Sequence, residues 1–216
     1  MIIYGKAVKK QRRRHILLEN TNRVTEEVWV QAGLERKAEM ETVFLAGGCF
    51  WGVQKFFDQF AGVLETEAGY ANGPDRQPTY QEVCADSGHA ETVRVVYDPE
   101  RISLETLLTY YFMVIDPLSV NQQGHDRGIQ YRTGIYYTAE SQLPVIRAVC
   151  GRVEAEVGKP LAVEIQPLAS FFPAEEYHQK YLDKNPGGYC HIPRQLLALK
   201  GARGPAGGGI TEAGGE

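Results

Sequence analysis

Residues 47–52 read Gly-Gly-Cys-Phe-Trp-Gly, a thiol set between a glycine pair that lets the backbone turn and two large aromatics that can wall the sulfur. After it, Val53, Phe56, Phe57 and Phe60 fall at i, i+3, i+4 and i+7, the stripe of an amphipathic helix. Before it, Thr42 to Ala46 is a short apolar, partly β-branched run that predicts a strand. Cys49 therefore stands at a strand-to-helix turn, where free backbone N–H groups and the helix dipole favour a thiolate. The plain alternative is a buried structural cysteine, the commoner fate of such a residue. Flanking glycines and a helix start favour an activated nucleophile.

A second group for chemistry is Glu91, which follows Ser87-Gly88-His89-Ala90 and opens the alternating run Glu91–Tyr97. Period-two alternation places its carboxyl on the face of Val93, Val95 and Tyr97. Desolvation there favours the protonated acid, a proton donor near neutral pH, unless the side chain reaches water at an edge. Asn121 to Arg132 is a long polar segment containing Asp126, Arg127 and Tyr131, and as residues alone it reads as a solvated connection with turn formers. Tyr80 and Tyr131 are two of twelve tyrosines and carry no role by type.

Cys190 ends Asn185-Pro186-Gly187-Gly188-Tyr189-Cys190, an irregular loop in which a second thiol could approach a first one. An idle thiol is the alternative. Cys150 falls on the apolar face of a helix and is expected in the core, while Cys84 reads as a bystander. His178, in Ala174-Glu175-Glu176-Tyr177-His178-Gln179, stands at helical spacing with Ala174 and Tyr181. It reads as a bonded core histidine, with a Cys–His base role as the sharper option.

The elements that must position these groups lie between about residues 41 and 200. The Cys49 helix leads to a strand near Val63–Tyr70, then to Glu91–Tyr97. Ser103 caps a helix carrying Leu104, Leu107, Leu108, Tyr111, Phe112 and Ile115 at helical period, stopped by Asp116-Pro117. A strand near Thr133–Tyr137 precedes a second long helix, about Ala139–Val157, with Ile146, Val149, Val153 and Val157. Ala162–Ile165 reads as a last strand. Helices and strands mixed around one sheet predict an α+β or α/β layer sandwich.

The bulk properties set bounds. A chain of 216 residues is one domain with extensions, or at most two small ones. A net charge of −4 argues against a general nucleic-acid binder. No apolar run is long enough to span a bilayer, and no leader-like apolar stretch is expected. The four cysteines have no zinc-like spacing, and in a chain of this size they read as cytoplasmic thiols. Residues 1–40, basic and without an acid before Glu19, are expected to be a flexible extension, with Met40 a possible start of the functional protein. The glycine-rich segment 201–216 is expected to be disordered.

Taken together, GGCFWG at 47–52, GHAE at 88–91, QGHDRGIQYR at 123–132, AEEYHQKYL at 174–182 and NPGGYC at 185–190 resemble the A-type peptide methionine sulfoxide reductases. The resemblance spans about residues 41–191, with every signature segment in order. It implies a two-layer α/β sandwich with a central mixed sheet (ferredoxin-like) and irregular C-terminal loops. It implies reduction of the S epimer of methionine sulfoxide, free or in proteins, by a monomer recycled by thioredoxin, with no cofactor or metal. Cys49 matches the nucleophile that becomes a sulfenic acid, and Glu91 the acid that protonates the sulfoxide oxygen. Tyr80, Asp126 and Tyr131 match residues that bind that oxygen or organise the site. Phe50 and Trp51 match the wall against the S-methyl group. Cys190, preceded by Tyr189 at the substrate rim, matches the resolving cysteine.

Two departures stand out. The Ala85-Asp86-Ser87 stretch is one residue shorter than is usual in the family. Residues 191–216 hold no further recycling cysteine, so the relay is expected to stop at Cys49–Cys190. Two other classes remain open on the residues: a cysteine hydrolase using Cys49, His178 and Asp126, and a binding module that holds a methionine side chain without turnover.

Overall fold

A computed structural model of the chain describes residues 39–199. The expectations for the basic extension up to residue 38 and for the glycine-rich segment beyond 200 lie outside the described residues. In chain order the elements are β1 (Glu41–Gly47), α1 (Phe50–Phe57), β2 (Val63–Ala71), α2 (Tyr80–Cys84), β3 (Ala90–Tyr97) and α3 (Leu104–Val114). A two-stranded hairpin follows, β4 (Gln122–Gln123) and β5 (Asp126–Arg127), then a 3₁₀ turn at Ile129–Tyr131 and β6 (Thr133–Tyr137). Last come α4 (Leu143–Val157), β7 (Glu164–Pro167), β8 (Phe171–Pro173) and α5 (Tyr181–Lys184).

The main sheet has the order β7-β6-β1-β3-β2-β8. All its pairings are antiparallel except β6 with β7, so the sheet is mixed. Its inner four strands, β6-β1-β3-β2, joined through α1 and α3, form the ferredoxin-like arrangement that the resemblance implied. One face is covered by helices: Val43, Leu45, Ala68, Val93, Val95 and Ile135 pack with Phe56, Phe57, Leu107, Leu108 and Ile146. Each large side chain removed from water there contributes about 1.5–3 kcal/mol. The other face carries a smaller cluster, Phe44, Ala46, Ala71, Ala90 and Tyr136, under Leu168 and Phe171. Because β1 is buried on both faces, its sequence is a continuous apolar run with no alternation.

Several boundaries differ from the sequence expectation for identifiable reasons. Segment 174–180 is a series of turns, not a helix, because the Ala174 N–H is taken by the Ala68 carbonyl and Lys180 adopts φ +50°. In α4, Ile146, Val149 and Cys150 are buried, but Val157 is exposed because the last turns run past the core. The strand expected at Ala162–Ile165 begins only at Glu164, since the Ala162 N–H bonds the Pro117 carbonyl. The polar segment from Asn121 is not wholly irregular: it folds into the β4–β5 hairpin and the 3₁₀ turn.

Candidate active site

The backbone at the end of β1 turns through Gly48, whose φ is +81° and where a Cβ would meet the Gln123 side chain at 2.5 Å. Cys49 then takes a non-helical φ/ψ of −55°/118° and becomes the N-cap of α1. The turn is the one the sequence predicts, but the thiol's state is not. Burial, then the neighbouring Glu91 carboxyl, push the Cys49 thiol well above its ordinary range, and the Trp51 N–H only partly offsets them. Desolvation outweighs the helix N-terminus, whose Phe50 N–H is moreover committed elsewhere. The resting nucleophile is a thiol.

That commitment is to Glu91. The Phe50 N–H donates to Glu91 Oε2 at 3.0 Å, and the residue is 2% exposed on the helical face of β3. Desolvation raises its pKa to about 8, against the lowering effect of the Phe50 hydrogen bond. The carboxyl is therefore protonated at neutral pH, with Oε1 available to a ligand. The edge-and-water alternative fails, because β3 is an interior strand.

Tyr80 opens α2, a helix of five residues fixed by a capping box between Thr79 and Glu82. Its N–H donates to Glu175 Oε1 at 3.0 Å, while Tyr70 donates its hydroxyl to Oε2 of the same carboxylate at 2.7 Å. Tyr131 ends the 3₁₀ turn, which Arg132 braces by donating to the Ile129 carbonyl at 3.1 Å and the Asn72 carbonyl at 3.2 Å. Burial pushes both phenols above their ordinary range. The Tyr131 hydroxyl lies within electrostatic reach of Glu91, Cys49, Tyr80 and Asp126. Both phenols remain donors at any neutral pH.

The aromatic wall is locked from the C-terminal side. Trp51 Nε1 donates to His178 Nδ1 at 3.0 Å, and its indole stacks on Tyr181 at 3.8 Å between centroids. Phe50 is buried against Tyr70 and His178. Burial keeps His178 neutral and able to accept. His178 thus orients Trp51, and Asp126 bonds Tyr189 instead, so the described contacts build no Cys49–His178–Asp126 relay. The hydrolase option loses its geometry.

The loop at 185–190 crosses the site. Tyr189 donates its hydroxyl to Asp126 Oδ2 at 3.0 Å. Cys190 Sγ lies 2.7 Å from where a Cβ on Gly52 would stand, so the second sulfur rests on the first turn of α1, one turn from Cys49. All four cysteines are free thiols. Cys190 also lines a surface groove of about 290 Å³ with Lys55, Leu182, Pro186 and Arg194. Cys150 is buried in the core as expected, and Cys84 is exposed at the end of α2. The structure places Cys49, Phe50, Trp51, Tyr80, Glu91, Asp126, Tyr131, Tyr189 and Cys190 in one neighbourhood of the fold. The residues it adds are Glu175, Tyr181 and His191, with His178 as an orienting partner. Among the described residues, no group of three or more His, Cys, Asp or Glu side chains could hold a metal ion.

Comparison with known proteins finds relatives over most of the chain. The family model described as peptide methionine sulfoxide reductase matches residues 41–202. A peptide methionine sulfoxide reductase MsrA from Lachnoclostridium phytofermentans is 55% identical over 153 residues, 70% of this chain and 92% of the relative. One from Clostridium acetobutylicum is 52% identical over 159 residues, covering 73% and 98%. Among solved structures, reduced Mxr1 from Saccharomyces cerevisiae superposes with a TM-score of 0.68 at 35% identity, covering 71% of this chain and 90% of that one. Methionine sulfoxide reductase A of Corynebacterium diphtheriae gives 0.64 at 33% identity, covering 73% and 85%.

Proposed function

The chain belongs to the peptide methionine sulfoxide reductase family, of the MsrA type, and from that premise we propose that it reduces the S epimer of methionine sulfoxide through a Cys49 sulfenic acid, resolved by Cys190 and recycled by thioredoxin. The observation that carries this reading is the buried Glu91 held on the Phe50 N–H beside the Cys49 turn, where desolvation favours its protonated form. A sulfoxide sulfur is a poor electrophile until its oxygen is protonated or strongly hydrogen-bonded. Glu91, Tyr80 and Tyr131 supply donors at one side of the site, and the Phe50–Trp51 wall suits an S-methyl group at another. With these positions fixed around a chiral sulfur, one epimer fits.

The steps balance. Cys49 sulfur attacks the sulfoxide sulfur as Glu91 protonates the oxygen, and the thiol proton restores Glu91. The S–S bond so formed then breaks, its electron pair returning to the methionine sulfur as the hydroxyl passes to the Cys49 sulfur; methionine leaves and Cys49 is a sulfenic acid, a species that condenses with thiols. Cys190 attacks that sulfur, releasing water and leaving a Cys49–Cys190 disulfide. Reduced thioredoxin then takes the disulfide by exchange, and the groove beside Cys190 gives an attacking thiol access. One chain carries all these groups, so a monomer suffices, and a reducing cytoplasm is a compartment that supplies the reduced dithiol such a relay needs.

The test is oxidation of reduced thioredoxin on addition of each sulfoxide epimer. The S epimer alone should drive it. Equal turnover of the R epimer, or none of either, would overturn the reading.

A further inference from the structure

His191 follows the resolving sulfur directly, and its place is built by the backbone around it. Its Cε1 lies 3.2 Å from where a Cβ on Gly48 would be, and its Cβ lies 3.1 Å from the corresponding point on Gly124. Both glycines have positive φ, +81° and +59°, which side-chain-bearing residues rarely adopt. The imidazole is wedged between the turn that carries Cys49 and the β4–β5 turn, with its side chain 4% exposed. Neither ring nitrogen makes a hydrogen bond of good geometry, the Gly47 carbonyl offering only a loose contact. Nδ1 stands 4.0 Å from Asp126 Oδ2, the same oxygen that Tyr189 bonds. Buried imidazole nitrogens are costly to leave unpaired, so such a ring in a thiol site points to a proton it handles.

We propose that His191 is the proton carrier of the resolving step, an assignment that rests on the roles given above to Cys49 and Cys190. The imidazole takes the proton of the Cys190 thiol, and the thiolate attacks the sulfur of the Cys49 sulfenic acid. The S–O bond breaks as the S–S bond forms, and the proton passes from the imidazolium to the departing hydroxide, giving water. Asp126, close to Nδ1 but not bonded to it, stabilises the transient imidazolium. Burial disfavours the charged ring and prevails over the favourable Asp126 and Gly47 carbonyl contacts, so the resting imidazole is neutral and able to accept. Burial also pushes the Cys190 thiol above its ordinary range, so at neutral pH it depends on a base.

The groups shown facing this ring are Asp126 from β5 and the Gly47 carbonyl at the end of β1, with Cys49 and Cys190 the titratable groups nearest to it in the chain. The test follows disulfide formation in His191→Gln after one equivalent of methionine sulfoxide, with the methionine burst in the same sample as reference. At pH 7, resolution relative to the burst should slow by about 10²-fold, the scale of general base catalysis. The deficit should shrink as pH rises and Cys190 ionises unaided. Resolution within about threefold of the parent at pH 7, or a deficit constant with pH, would overturn the proposal. If His191→Gln does not fold, the parent decides: a resolving rate flat with pH above neutrality supports a histidine base, and one rising about tenfold per unit contradicts it. A missing methionine burst in both parent and Cys190→Ser would instead mark failure of the Cys49 assignment itself.

Discussion

At the scale of single residues, the site rests on two acids kept neutral by burial: the Cys49 thiol and the Glu91 carboxyl. Glu91→Gln keeps the shape but cannot donate a carboxylic proton, so sulfoxide reduction in a single turnover should slow by roughly 10²–10⁴-fold. Its folded pKa of about 8 lies above the ordinary 4.5, so the native state holds a proton that the unfolded chain releases. Stability from this group is fully present below pH 4.5 and is lost as pH rises towards 8. Glu91→Gln should therefore melt increasingly higher than the parent between those limits, with the gap levelling above pH 8; a gap independent of pH would contradict the buried, neutral acid. Strand parity made Glu91's inward direction legible in the sequence. The state of Cys49 was not legible. Local rules see the helix N-terminus, but the desolvation that dominates the Cys49 thiol, and the approach of Glu91 from 42 positions away, are set only by the folded packing.

At the scale of elements, the first turn of α1 serves both sulfurs. Gly52 is the point where Cys190 Sγ can approach the helix. Gly52→Ala should gain up to about 1 kcal/mol of helix propensity yet force the second sulfur outward. Misplacement by about 1 Å can cost on the order of 10²-fold, so disulfide formation should slow while the methionine burst persists. Rapid-quench analysis of both steps would check this, and unchanged resolution would count against the close approach. Thr79→Ala should remove the cap of α2 at a cost of about 1 kcal/mol and loosen Tyr80, which thermal unfolding and a fall in kcat measure together. Thr79-x-x-Glu82 carries the capping-box spacing in the sequence, but a helix of one turn has no apolar period to support it. The Trp51–His178–Tyr181 stack joins segments more than 120 residues apart, a pairing that no local pattern encodes. β8 was equally hidden, because three residues at a sheet edge are too few to alternate.

At the scale of the whole molecule, every group assigned here lies between Cys49 and His191, and the buried core among the described residues runs from Val43 to Ile192. A chain beginning at Met40 should therefore keep its stability within the roughly 0.5 kcal/mol usual for changes away from packed sites, and its turnover within about twofold. A large loss of either would show that residues 1–39 belong to the working unit. The layered fold was legible from the order of strands and helices and from the resemblance of the motifs. The junction of the C-terminal loop with α1 was not, because its contacts are long-range and partly made by glycines that leave no side-chain signal. The relay across that junction is the central claim, and Cys190→Ser tests it most directly. On rapid mixing with the S sulfoxide, the variant should form one methionine per enzyme and then stop with thioredoxin, while a small dithiol such as dithiothreitol restores cycling. Undiminished thioredoxin-dependent turnover in Cys190→Ser would contradict the account.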